Sequence, residues 1–341
     1  MATPSNKILV LGASGYVGSR LVTLLLQKGY TVRATARSLD TLKKRPWSKD
    51  PNVELFPADI LNQNSLKQAC QGCGTAYYLV HSMSSSGRNF ADADRKAAQN
   101  MIAISPESTL KRIIYLSGLG DVKSDLSEHL RSRMEVCRIL HSGKVPTTTL
   151  RAAIIIGTAS VPFELMRYLI ERLPIMITPR GVNTKVQPIG IRNVLGYLIG
   201  CLEKEETTGE TYDIGGPDIM SYKDLMGLYA QVAGFPKRPV IAVPFLTPRL
   251  ISCWTHLITP IPDSIARPLT EGLTNTVICR ENRIQRIIPQ ELINCRQAIR
   301  LALNLEQKNL TDLLGQDEKE FIAPEYKYPG DPFWAGTAKV R

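Results

Sequence analysis

Three glycines at the spacing G-x-x-G-x-x-G, Gly12, Gly15 and Gly18, stand between an apolar run at Ile8 to Leu11 and a helix-period stretch opening at Tyr16. Strand, glycines, then helix is the context that a dinucleotide-phosphate site requires. Gly12 permits the tight turn, Gly15 lets the backbone approach a pyrophosphate, and Gly18 lets the helix pack close to the strand. Ser14, Tyr16 and Val17 complete the loop and the first helical turn, whose free N–H groups and positive dipole end attract phosphate. A second diagnostic position lies about twenty residues on, where a site for NAD carries an acid for the ribose hydroxyls. Here "TVRATARS" offers Arg33 and Arg37 and no acid before Asp40. An arginine can pair with a 2′-phosphate, so NADP is expected over NAD. Arg37 is the stronger candidate, because Arg33 also reads as part of a solvated face. Asp59, followed by Ile60 in "FPADILN", ends a third strand. Its carboxylate suits the adenine amino group, or equally a helix cap before "QNSLKQAC".

Other chemistries are weaker. Cys70 and Cys73 form C-x-x-C, but no second Cys or His pair at metal spacing accompanies them, and "CQGCG" sits where a helix should end on glycine. No metal site is expected. The seven cysteines are odd in number and scattered, as in reduced intracellular chains. A formal net charge of +11 invites a nucleic-acid reading, yet the Lys and Arg residues form no dense tract or nucleic-acid motif. An anionic cofactor or substrate explains part of that charge. "MATPSNK" leads straight into a strand without a secretory pattern, so a cytoplasmic location is expected. No charge-free, proline-free apolar run of roughly 20 residues occurs, so no spanning helix is expected. The stretch from Val240 to Pro262, with Arg249, His256 and four prolines, reads as packed or interfacial, which leaves contact with a membrane surface open.

Elements of matching length must position these residues. Strand-like runs "KILVLG", "YTVRATA", "VELFPAD", "AYYLVHS", "RIIYLSG" and "TTTLRAAIIIG" alternate with helical stretches at Tyr16 to Lys28, Ser65 to Cys70, Phe90 to Ile104 and Glu128 to His141. That alternation predicts an α/β chain with a doubly wound parallel sheet and a smaller C-terminal substrate lobe. Val17, Leu21, Leu24 and Leu25 share one helical face that Gly29 closes. Tyr77, Tyr78 and Tyr115 fall within strands and read as core. Beyond residue 157 three further helices are expected, with a short strand at "ETYDIGG" and a capping box at Ser221 and Asp224. The boundaries drawn are 1–160 for the dinucleotide domain, 161–306 for a substrate or partner lobe interleaved with the sheet, and 307–341 for a polar tail. Arg151 and Arg180 could meet an anionic substrate, although an arginine ending a strand is more often in a structural ion pair. His81 follows a buried strand at its carboxyl end, where ligand sites of such sheets lie.

Together these residues resemble the short-chain dehydrogenase/reductase superfamily, in the extended and atypical branch that includes NmrA-like proteins. The resemblance rests on the glycine loop, the arginines after strand two, "ADI" at Asp59, "YLVHSM", "YLSGLG" and "LRAAIIIG", and continues through "QPIGIRNVLGYL" and "GETYDIGG". It implies that Val80, His81, Ser82 and Met83 pass beside the cofactor's inner ribose and that Ser117 occupies the neighbourhood of the catalytic serine. Active relatives carry Tyr-x-x-x-Lys on the helix after strand five, where the spacing places both side chains on one face. This helix reads "SEHLRSRMEVCRIL", so the motif becomes His129-x-x-x-Arg133. Imidazole is able to exchange protons near neutrality. The expected function is NADP-dependent hydride transfer to a small-molecule, apolar substrate. The alternative is a non-catalytic NADP(H) sensor or assembly factor in which His129 and Arg133 only pack. A sugar-nucleotide epimerase or dehydratase is a fainter third reading.

Overall fold

The computed structural model describes residues 7–82, 90–120, 126–178, 180–242, 261 and 263–303. Seven parallel strands make the central sheet: β1 (Ile8–Leu11), β2 (Val32–Ala36), β3 (Val53–Pro57), β4 (Thr75–Tyr78), β5 (Arg112–Gly118), β6 (Thr147–Ala152) and, after four short strands, β11 (Thr211–Ile214). The four are β7 (Ile155–Ile156), β8 (Met176–Thr178), β9 (Lys185–Val186) and β10 (Ile189–Gly190). Spatial order in the sheet is β11-β6-β5-β4-β1-β2-β3. The chain winds one way from β1 and the other way from β4, so the crevice at their carboxyl ends is the switch point where ligands of such sheets bind.

Every residue of β1 is buried, as a strand covered on both faces demands. On one face α1 (Tyr16–Gln27) and α7 (Ile191–Glu203) pack over Val10, Val32 and Tyr77. Leu21 and Leu25 of α1 are wholly buried there, worth about 2 kcal/mol each in apolar transfer. On the other face α3 (Gln63–Cys70), α4 (Phe90–Ile104) and α5 (Glu128–His141) cover Leu9, Leu11 and Tyr115. Tyr77, Tyr78 and Tyr115 are core residues, as their place in the strands implies. Gly29 closes α1 at a φ of 81°.

A second cluster joins Leu126 and Leu130 at the start of α5 to α6 (Val161–Arg172), α8 (Tyr222–Val232) and the helix Cys295–Ala302. The capping box of Ser221 and Asp224 forms as the spacing requires. The chain then returns to the sheet edge, where Asp213 accepts from the Arg280 amide and Arg283 donates to the Thr211 carbonyl. Arg151 pairs with the buried Asp213 at 2.7 Å, the structural role of a strand-ending arginine. Of the stretch from Val240 to Pro262 only 240–242 and 261 are described; Met83, the Arg180 side chain and the tail from 307 lie outside the described residues.

Two readings of single residues change. Arg33 is buried, not solvated: its Nε pairs with Glu54 at 3.0 Å, and Nη1 donates to the carbonyls of Ala69 and Gln71 at 2.9 and 2.7 Å. A guanidinium fits there because the last carbonyls of α3 lack helical partners. The cap of α3 is Asn62, whose side chain accepts from the Ser65 amide, and not Asp59. Asp59 Oδ1 instead accepts from the Leu61 amide at 3.0 Å, closing a local turn.

Candidate functional site

The glycine loop is built without room for side chains. Gly12 adopts a φ of 86°, and a Cβ there would stand 3.0 Å from the Leu79 carbonyl of the neighbouring loop. At Gly18 a Cβ would press on the Gly12 carbonyl oxygen. Helix α1 starts at Gly15 with no side-chain cap and no acid in its first turn, so its leading N–H groups are kept for an anion. That cradle fits a dinucleotide pyrophosphate. Gly15 is exposed, and Ser14, Tyr16 and Val17 surround it half-buried.

Two contacts that sequence reasoning missed hold this loop. Arg45 Nη2 donates to the Ser14 carbonyl at 2.6 Å, and the buried Trp47 donates from Nε1 to the Ser19 carbonyl at 3.1 Å. The segment after β2 is thereby pinned back over α1. Arg37, at the end of β2, is exposed and has no acidic partner among the described residues. Tyr16 turns its ring under the Arg20 guanidinium at 4.0 Å, with its hydroxyl beside Gly157. Burial raises that phenol to about 12.

Across the switch point, Val80, His81 and Ser82 leave β4 while His129 and Arg133 arrive on α5. The rings of His81 and His129 stack with centroids 5.0 Å apart and 28° between planes. Asp94, a buried carboxylate of α4, lies 3.4 Å from His81 Nδ1, accepts from the Ser82 amide at 2.9 Å and from Ser132 Oγ at 3.3 Å. The His81 side chain is 23% exposed, but through carbon, because both ring nitrogens are buried. His81 Nδ1 has only that long contact with Asp94; His81 Nε2, His129 Nδ1 and Ser127 Oγ, the hydroxyl at the start of α5, have no hydrogen-bond partner among the described residues. The unpartnered nitrogens on the two stacked rings leave donors and acceptors for a polar ligand.

Electrostatics follow from that packing. Burial, then the Arg133 charge, pushes His81 down to about 4, with Asp94 opposing. Burial, then His81 and Arg133, takes His129 well below its usual range. Both imidazoles are therefore neutral near pH 7. Burial alone would raise the Asp94 carboxyl, yet its contacts hold it at about 2. The His81 contact lowers it most, followed by the Arg133 charge and the Ser82 amide. Arg133 Nη1 reaches the Tyr115 hydroxyl at 3.5 Å, and the Ser117 hydroxyl donates to the Arg133 carbonyl at 3.3 Å. Ser117 thus touches the α5 backbone.

Asp94 had a signal in the sequence. Phe90, Asp94, Ala97, Met101 and Ile104 share the buried face of α4, and a carboxylate in such a row needs a partner. The C-x-x-C pair belongs to the core: both cysteines are fully buried and burial raises the Cys70 thiol to about 12. Among the described residues no group of three or more His, Cys, Asp and Glu side chains could hold a metal ion, and no helix is long and apolar enough to cross a membrane.

A doubly wound sheet with this loop at its switch point defines a protein of the NAD(P)-binding, short-chain dehydrogenase/reductase type. The model of the NmrA-like family matches residues 4–237, and the chain belongs to that family. Cinnamoyl-CoA reductase 1 of Petunia hybrida is 30% identical over 123 residues, 35% of this chain and 37% of its own length. The chain spans less than half the length of that and other plant reductases it matches. A mitochondrial NADH dehydrogenase [ubiquinone] 1 alpha subcomplex subunit 9 of Arabidopsis thaliana is 23% identical over 242 residues, 69% of this chain and 60% of its own. The fold matches an NADPH-dependent quinone oxidoreductase of Escherichia coli, solved with NADPH, at a TM-score of 0.67 and 16% identity, covering 86% of this chain and 98% of that one.

Proposed function

We propose that the chain is an NADP-dependent oxidoreductase acting in the cytoplasm, transferring hydride between the nicotinamide and an apolar carbonyl or alcohol substrate, with His129 as the proton-exchanging group. The observation that carries this reading is the placement of His129 at the switch point, one helical turn from Arg133 and stacked on His81. Gly12, Ser14, Gly15, Tyr16, Val17 and Gly18 would hold the pyrophosphate, and Arg37 the 2′-phosphate. Asp59 and Ile60 would border the adenine, and Val80, His81 and Ser82 the inner ribose. When bound, the nicotinamide supplies or accepts the hydride. His129, neutral, takes the hydroxyl proton of an alcohol as it is oxidised and returns it as a carbonyl is reduced. Arg133 offers its charge to the ribose side, and Ser117 holds the turn of α5 that carries it.

An apolar substrate body is supported by what flanks His129. Leu126 and Leu130 belong to one cluster with Ile156, Phe163 and Met166 of the 161–306 lobe and its approach. The six described cysteines are free, in keeping with a reducing compartment.

A second reading, a non-catalytic NADP(H) sensor or assembly factor, is favoured by the similarity to a respiratory-complex subunit over 69% of the chain. One experiment separates the two: loss of NADPH absorbance with 1,4-naphthoquinone or an aromatic aldehyde as probe, in wild type and His129→Phe. Turnover that falls at least tenfold in the variant, at unchanged NADPH affinity, supports the enzyme. Tight NADPH binding with no turnover on either probe supports the sensor.

A further inference from the structure

We propose that Asp94 and His81 are positioning residues for His129: the carboxylate fixes the His81 ring by its Nδ1–H, and the stacked ring fixes the plane of His129. This rests on the reading of His129 given above, and assigns to His81 a task other than lining the ribose. Three elements meet to build the arrangement. Asp94 comes from the buried face of α4, His81 from the loop after β4, and His129 from the first turn of α5.

Asp94 is itself held in place, by the Ser82 amide on one oxygen and Ser132 Oγ on the other. Ser82 follows His81 directly and Ser132 lies three residues after His129 on α5, so the carboxylate ties together both segments that carry the imidazoles. Its Oδ2 stands 3.4 Å from His81 Nδ1, and a carboxylate at that position favours the tautomer whose proton is on Nδ1. His81 then has one remaining contact surface, its ring face, against which His129 lies with planes 28° apart. The stack fixes the ring plane without consuming a His129 nitrogen, since no hydrogen bond joins the two rings. The orienting carboxylate of a Ser-His-Asp triad bonds to the base itself. Here it acts through a second imidazole, so that neither nitrogen of His129 is spent on the carboxylate.

The chain has four histidines, so the test needs no substrate. Long-range 1H–15N correlation spectra of 15N-histidine protein, at pH 7 and with NADPH, report the tautomer of each ring. We expect His81 as the Nδ1–H tautomer in wild type, loss of that preference in Asp94→Asn, and a changed tautomer or exchange-broadened signals for His129 in His81→Ala. His81→Phe, which keeps an aromatic face, restores the wild-type His129 signals. His129 signals that are the same in wild type and His81→Ala, with NADPH still bound, would overturn the proposal, as would Nε2–H as the wild-type tautomer of His81. Should His81→Ala fail to fold, Asp94→Asn and His81→Phe carry the test. If the spectra behave as expected while no variant or wild type oxidises NADPH, the positioning stands and the enzymatic reading fails. If wild type turns over, we expect His81→Ala to lower kcat at least tenfold and His81→Phe to recover most of it.

Discussion

Replacing His81 by Phe should make the protein more resistant to acid by an amount the structure sets. The folded ring titrates at about 4, whereas an unfolded histidine titrates at about 6.5. Between those values the unfolded chain binds a proton that the native state refuses, so stability is complete above about pH 6.5 and is lost as the pH falls toward 4. The whole gap corresponds to roughly 3 kcal/mol, of which about 2 kcal/mol is lost between pH 7 and pH 4.5. In wild type Asp94 stays charged throughout that window, since its carboxyl is held at about 2. Burial, the largest cause lowering His129, is common to both proteins, so most of its own penalty cancels in the comparison. Urea unfolding of wild type and His81→Phe at the two pH values measures the difference by linear extrapolation. Wild type should lose about 2 kcal/mol more than the variant on going to pH 4.5. Equal losses would refute the claim that His81 is held neutral by burial and by Arg133.

Arg37→Ala should weaken NADPH binding roughly 10- to 150-fold, the worth of a charge-assisted contact, and leave NADH binding unchanged by calorimetry. Arg33→Ala should destabilise the fold by about 2 kcal/mol through the exposed carbonyls of α3 without altering cofactor preference, as thermal unfolding and the same titrations would show. Gly18→Ala places a methyl against the Gly12 carbonyl, so it should cost about 1–3 kcal/mol and abolish NADPH binding; a bound crystal structure with the loop unmoved would contradict that. Because His129 is held well below its usual range, alcohol oxidation should show no acidic limb with a midpoint near 6.5, and such a limb would count against a neutral base.

The parallel sheet, the glycine turn and four of the five described α-helices of the first 160 residues, all but the short Leu39–Lys43, were legible in the sequence because each follows from local rules. Strand runs are apolar where both faces are covered, and glycines mark the places where backbone meets backbone. The roles of Arg33 and Asp59 were not legible, since both depend on which helix end lies alongside, and the carbonyls of α3 reach Arg33 only after the chain has crossed the sheet. The stacked pair was hidden for the same reason. His81 and His129 are 48 positions apart by number and meet only through the pairing of β4 with β5 and the packing of α4 on α5. Asp94 alone was within reach, as the one charged residue on a helical face otherwise made of Phe90, Ala97, Met101 and Ile104.

The most direct test of hydride transfer through His129 is single-turnover oxidation of protein-bound NADPH on mixing with 1,4-naphthoquinone, followed at the nicotinamide absorbance. Wild type should lose the signal rapidly, and His129→Phe should lose it at least tenfold more slowly while the amount of NADPH bound is unchanged. Equal rates in the two proteins would contradict it.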